Sequence, residues 1–186
     1  MGLQFMKIIG KKVGMKRIFD SEGNIAAASI ISLLSSKVVR KKSESSDGYY
    51  ALVVNAKDGK REIVFESSGT DKSAFGAEIP LKSGDLVNIQ SKSKGKGFSG
   101  VIKKHGFSRG PKTHGSDHHR KPGSIGSMYP QRVVKGRKMP GRLGGDTATV
   151  RNLTVVDVDQ RSGFVVVSGA IPGATGSIQK IEFARS

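Results

Sequence analysis

The chain has 186 residues, enough for one domain with an appendage, and only 35% of them are hydrophobic with no Trp, so any core is modest. Thirty-two Lys and Arg against fifteen Asp and Glu leave a net charge of +17 and a pI near 10.3, a field that draws polyanions and exceeds what solubility requires. The absence of cysteine excludes disulfides, thiolate metal sites and cysteine nucleophiles, and no run of about 18 apolar residues is there to span a bilayer.

The N-terminal stretch MGLQFMKIIGKK places its lysines after the apolar residues and has no h-region, which argues against a signal peptide. Met6 stands where a myristoylation signal after Gly2 requires Ser or Thr. Ile8-Ile9 and Arg17-Ile18-Phe19 read as strands flanking a Gly-Lys-Lys-Val-Gly turn, with Lys11 and Lys12 as RNA-contacting candidates. Asp20-Ser-Glu-Gly23 is a turn signal before the apolar run Ala26 to Leu34, which lacks the basic face of an interfacial helix. Further strands are expected at Tyr49 to Asn55, Arg61 to Glu66, Leu86 to Gln90, Val150 to Val158, Phe164 to Ser168 and Ile178 to Phe183. Asp47-Gly48, Asp58-Gly59 and Ser162-Gly163 punctuate them, and no long stretch shows the 3.6-residue period of a helix. Short strands at this spacing predict a mainly β fold, a small closed β-barrel that hides its sheet edges.

Charge divides the chain. Lys92 to Arg142 holds fourteen Lys or Arg and one acid, Asp117, so thirteen of the seventeen net charges sit in 51 residues. The same segment has ten glycines, four of the six prolines and all four histidines. The expected organisation is residues 1–91 and 143–186 as two parts of the barrel body, with residues 92–142 as a long, irregular basic extension inserted between them. Large apolar residues occur there singly or in pairs (Phe98, Val101-Ile102, Phe107, Ile125, Met128, Val133-Val134, Met139). They bury too little to offset about 1–2 kcal/mol of backbone entropy per residue, so the extension is expected to order only against a partner.

Gly95-Lys-Gly97-Phe-Ser-Gly100 has the letters of a dinucleotide fingerprint, but Val101-Ile-Lys-Lys-His-Gly106 stops too soon for the helix that must hold a pyrophosphate. Backbone without Cβ atoms, approached by Lys92, Lys94 and Lys96 and with Phe98 to stack or pack on a base, suits RNA better. Lys103, Lys104, His105, Arg109 and Lys112 continue the basic run. His114-x3-His118-His119 could in principle gather at a metal, but Lys112, Arg120 and Lys121 crowd it with positive charge, so His114 and His119 are assigned to bases, phosphates and 2′-hydroxyls. Arg132, Lys135, Arg137, Lys138 and Arg142 alternate with Gly, Pro and Met rather than helix formers, the pattern of a shaped RNA contact. No nucleophile–base–acid constellation and no paired carboxylates appear in the segment, so no enzyme, cofactor or metal site is expected.

Several long motifs then resemble one family, the universal third protein family of the large ribosomal subunit. They are Ile8-Ile-Gly-Lys-Lys-Val-Gly-Met15 with Arg17-Ile-Phe19, Ser93-Lys-Gly-Lys-Gly-Phe98, Thr113-His-Gly115, His119-Arg-Lys-Pro-Gly-Ser-Ile-Gly126, Arg132 to Arg142, and Gly169-Ala-Ile-Pro-Gly-Ala-Thr-Gly176. Their order is the family's, and the pattern is of the bacterial or organellar kind. The resemblance implies a translation-protein-type β-barrel with an extension that runs into ribosomal RNA toward the peptidyl transferase centre. Gly123 to Lys138 would be its inner end, with Lys92 to Lys96 and Arg142 nearer its root. It also implies an early role in subunit assembly, other large-subunit proteins as neighbours, and a place in the cytoplasmic ribosome or an organellar one. Relatives carry a longer insertion where this chain has Lys57 to Lys82, and a longer, amide-rich tip where it has Ser127-Met-Tyr-Pro130. The alternative from a different class is a free-standing RNA chaperone or regulator using the same arm.

Overall fold

β-branched residues dominate short runs bounded by Gly, Asp and Ser, and these runs form the strands. The computed structural model describes residues 7–19, 23–34, 37–56, 59–65 and 81–184. In chain order its strands are β1 (Lys7–Phe19), β2 (Ile25–Leu33), β3 (Lys37–Lys42), β4 (Tyr50–Ala56), β5 (Gly59–Phe65), β6 (Leu86–Lys92), β7 (Phe98–Ser99), β8 (Gly141–Arg142), β9 (Thr147–Asp159), β10 (Phe164–Ser168) and β11 (Ile178–Phe183). Two single-turn helices, α1 (Glu44–Asp47) and α2 (Val101–His105), complete the described elements. The fold is mainly β, as the sequence predicts.

Two compact units result, Met1–Ser93 with Thr147–Ser186, and Lys94–Asp146. In the first, six antiparallel strands pair in the order β1-β11-β6-β9-β10-β2, and β2 returns to β1 so that the ring closes. Alternation sends one set of side chains inward. Ile8, Ile31, Leu33, Val87, Ile89, Val155, Val165, Val167 and Ile181 form the core with Leu81 and Ile171. Strands β3, β4 and β5 make a separate antiparallel sheet.

The expected Gly10–Gly14 turn is absent. β1 runs through it as one strand of 13 residues, paired on one side with β11 and on the other with β2. A register shift between Lys12 and Gly14 absorbs the irregularity as a bulge. Gly10 is there for packing: a Cβ on it would lie 2.4 Å from Ile31 Cγ2. A second shift, between Val87 and Ile89 against β9, coincides with Asn152 at φ 55°, whose N–H donates to Asn88 Oδ1 at 3.0 Å. Asparagine tolerates that left-handed conformation better than a β-branched residue would.

Strand β3 has no counterpart among the expected strands. Its sequence, KVVRKK, reads as a charge run, yet it forms an edge of the separate sheet, where lysines discourage further pairing. Beside it Arg40 donates to Asp47 Oδ1 at 2.8 Å. A hydrogen bond from Ser46 and the charges of Arg40 and Lys42 hold the Asp47 carboxyl below its ordinary range. Most of the Asp20–Gly23 turn and of the Lys57–Lys82 stretch falls outside the described residues.

Replacing Gly10 by Ala tests the close approach. Ile31 is fully buried and branches at Cβ, so it cannot swing its methyl aside cheaply. Gly10→Ala is expected to lower stability by about 1–3 kcal/mol in urea or thermal unfolding. A variant as stable as the parent would show that the sheet relaxes freely there.

Candidate nucleic-acid interface

In the unit Lys94–Asp146, where apolar periodicity is lacking, backbone hydrogen bonds do the local ordering. At its root Lys96 N donates to Leu143 O at 2.8 Å and Leu143 N to Gly97 O at 2.9 Å. The β7–β8 ladder follows, with Phe98 opposite Arg142 and Ser99 opposite Gly141. α2 starts after Gly100 and ends at Gly106, whose φ of 73° lets its N–H reach Ile102 O. Val101 is buried, and His105 Nε2 lies 3.0 Å from Met139 O. A carbonyl only accepts, so Nε2 carries the hydrogen in this contact. The root thus has local structure of its own. α2, with five residues, is also too short for a dinucleotide site.

In the middle of the segment the picture changes. From Asp117 to Lys138 every residue is exposed, including Ile125, Met128, Tyr129, Val133 and Val134. Local contacts shape this stretch: Gln131 N donates to Met128 O, Ser127 Oγ to Tyr129 O, and Arg137 Nη2 reaches back to Ser124 O at 2.7 Å. Six cations, Arg120, Lys121, Arg132, Lys135, Arg137 and Lys138, face solvent here against one acid, Asp117.

Within this unit the predicted residues fall into three groups. Lys94, Lys96, Phe98, Lys103 and Arg142 are exposed at the root, with Phe98 at 80% exposure, while Lys104 and His105 are half-buried. Arg109, Lys112, His114, His119 and Arg120 belong to a closed loop in which His119 Nδ1 lies 2.7 Å from Pro111 O and Gly110 N donates to His119 O. Lys121, Arg132, Lys135, Arg137 and Lys138 belong to the exposed stretch. Charge counting alone missed Met128 and Val134, apolar residues 78% and 55% exposed beside those cations; the signal was their isolation from any apolar period.

The remaining candidates lie in the other unit. Lys92 is exposed at the end of β6, and Lys11 is half-buried in β1. Lys12 departs from its assignment. It is only 7% exposed, and its ammonium donates to Ile171 O at 2.8 Å and Gly173 O at 3.2 Å. The bulge after Lys12 and the interior period of β1 turn this side chain inward, where it ties down the Gly169–Gly176 loop. Ser29 Oγ, bonded to Gly169 O, and Gln179 Nε2, bonded to Pro172 O and Ser177 Oγ, hold the same loop. Lys12 is therefore a buried cation bonded to this chain's own carbonyls, unlike the exposed lysines assigned with it. Among the described residues no three His, Asp or Glu side chains gather as metal ligands, and no helix is long and apolar enough to cross a membrane.

The family model for ribosomal protein L3 matches residues 70–170. A curated relative, the large ribosomal subunit protein uL3 of Desulforapulum autotrophicum, is 41% identical over 194 residues, covering 91% of this chain and 94% of its own.

Two measurements check the division between structural and exposed cations. Lys12→Met removes the donor to two carbonyls, so unfolding should occur with about 1–3 kcal/mol less stability, while the salt dependence of RNA binding stays that of the parent. A shallower salt slope with unchanged stability would return Lys12 to the RNA surface. In hydrogen exchange on the free protein, amides of Asp117 to Lys138 should exchange far faster than those of β6 and β9. Equal protection would contradict the exposure described.

Proposed function

The chain belongs to the ribosomal protein L3 family, and on that premise we propose that it is a structural, non-catalytic constituent of the large ribosomal subunit that grips ribosomal RNA through its basic segment. On this reading the closed six-stranded sheet is the translation-protein-type barrel, and residues 92–142 are an extension directed toward the peptidyl transferase centre. The working place is the cytoplasmic ribosome, with neighbouring large-subunit proteins as further partners and subunit assembly as the stage at which binding starts.

The observation that carries the proposal is the stretch Asp117 to Lys138, where six cations and five large apolar side chains are exposed together. Water alone is a poor partner for that combination. RNA supplies both halves: phosphates for the cations, and splayed bases or sugars for Tyr129, Met128 and the valines. Arg120, Arg132, Arg137 and Arg142 can fork to phosphates or lie flat on bases, whereas Lys92, Lys94, Lys96, Lys103, Lys104, Lys112, Lys121, Lys135 and Lys138 act as point charges. Lys11 and Arg109 complete the charged set, His105, His114 and His119 add imidazoles, and Phe98 is the stacking candidate at the root. Two limbs of about 25 residues reach at most roughly 80 Å at about 3.3 Å per residue, so an extension of this length can penetrate deeply into RNA. Family membership favours this reading over a free-standing RNA chaperone, because the match spans the strands of the ring as well as the basic segment.

The proposal predicts co-sedimentation with large subunits through high-salt sucrose gradients. Six phosphate contacts held by charge alone would lose roughly a thousandfold in affinity between about 50 and 200 mM salt. Retention above that range therefore reports a shaped site. A variant carrying Ser at Arg120, Lys121, Arg132, Lys135, Arg137 and Lys138 should be depleted from the subunit peak. A parent chain that stays at the top of the gradient at every salt concentration would overturn the assignment.

A further inference from the structure

The loop that joins the root of the basic unit to its exposed stretch is closed on itself by two independent contacts. Gly110 N donates to His119 O at 3.1 Å, and His119 Nδ1 lies 2.7 Å from Pro111 O. The chain reverses between them at His114 and Gly115, with φ of 58° and 72°. The crossing is so close that a Cβ on Gly110 would come within 1.9 Å of the His118 carbonyl oxygen. That obstacle is backbone, which cannot rotate aside as a side chain could.

Closing the loop has a chemical result. Arg109, Gly110, Lys112, His119 and Arg120 line one cavity of about 350 Å³. That is ample for a tetrahedral anion and several waters, each of which takes roughly 30 Å³. Arg109 and Arg120 flank the pinned residues in sequence, so the pin brings two guanidinium-bearing segments together across ten residues of chain. Among the described residues neither of them, nor Lys112, has a carboxylate partner, Asp117 included. Three permanent cations around one concavity repel one another, and one multiply charged anion relieves that repulsion. A carboxylate offers a single charge and two oxygens. A phosphate offers more of both, and its geometry matches the arginine fork.

We infer that the cavity closed by the Gly110–His119 loop is a receptor for a single phosphate group. The inference rests on the RNA-binding reading for the expected source of that group, but the pocket is a local property of the loop and can fail separately. Arg109, Lys112 and Arg120 hold the anion. Gly110 and His119 are positioning residues: their hydrogen bonds set where the cations stand, and Gly110 contributes no charge.

The test uses the full chain labelled with ¹⁵N and inorganic phosphate as probe, titrated against chloride at constant ionic strength. Backbone amides from Arg109 to Arg120 and the arginine Nε–H signals should shift and saturate. Gly110→Ala should abolish saturation although its net charge is that of the parent, with Ile8 and Ile89 amide signals reporting that the sheet is intact. His119→Ala, which removes the imidazole pin and leaves Gly110 in place, should do the same and stands in if Gly110→Ala disturbs the sheet. A second arm measures binding to large-subunit RNA across salt, where loss of one phosphate contact should make the log–log slope shallower by about one. A shallower slope identifies the phosphate as RNA's, and an unchanged slope beside a saturable titration identifies a free phosphate ligand for the same pocket. Non-saturating shifts spread over all the basic residues, or saturation that survives both substitutions, would overturn the pocket. Failure of co-sedimentation with saturation intact would instead remove the ribosomal reading and leave the pocket standing.

Discussion

A closed sheet has no edge to fray, but this one closes only because strands from opposite ends of the chain meet. β1 lies beside β11, and β6 lies beside β9, with Lys92 facing Thr147 in the last pair of that ladder. The chain therefore leaves the sheet after β6 and returns to it at the neighbouring position that opens β9. The Lys92 end of the basic segment is fixed by a ladder that completes the ring, and its Arg142 end by pairing with Phe98. The core packed inside draws on both ends of the sequence, from Ile8 to Ile181, and none of its buried residues comes from the basic segment.

Much of this was legible because a strand with one buried face leaves a period of two in the sequence. Val165 and Val167 in β10, and Val87 and Ile89 in β6, are such cases. What misled was glycine. Gly10 and Gly14 resemble turn residues when read locally, yet Gly10 sits mid-strand because Ile31, on the adjacent β2, leaves no room for a Cβ. That reason lies 21 positions along the chain and has no local signature. β3 was illegible for the opposite cause: four cations in six residues mask a strand whose exposed edge tolerates them.

The candidate site shows the same boundary between local and tertiary information. Composition marks it out, since charge, Gly and Pro all change together near Lys92 and Arg142, and the compact unit spans Lys94–Asp146. Its internal order could not be read that way, because the order rests on backbone bonds such as Leu143 to Gly97 and on imidazole contacts such as His105 to Met139, not on an apolar period. Lys12 is the sharpest case. In sequence it is half of a Lys-Lys pair and indistinguishable from Lys11. Its partners, Ile171 and Gly173, lie about 160 residues away, and only the closing of the ring brings their carbonyls within reach. A cation buried against carbonyls is held by its hydrogen bonds, and the loop it secures is the one that Ser29 and Gln179 also hold.

The exposed stretch then poses a physical problem. Cations are interleaved with the exposed Tyr129, Met128 and Val134, and those cations repel one another within the roughly 8–10 Å over which salt does not screen them. Neutralising the charges without covering the apolar groups would leave a sticky strand, and covering the apolar groups first would bring like charges closer together. The two halves favour being satisfied at once, and if the partner is the proposed RNA this ties phosphate contact to base and sugar contact in one step. On the proposed reading, a loop that already holds Arg109, Lys112 and Arg120 around one cavity lowers the cost of starting that step. The first phosphate meets cations whose segments are already fixed by Gly110 and His119, so less side-chain freedom is lost per contact made. The stretch from Lys121 to Lys138 can then order against RNA from an anchored end, as a chain extending from a nucleus rather than one that must find its register unaided.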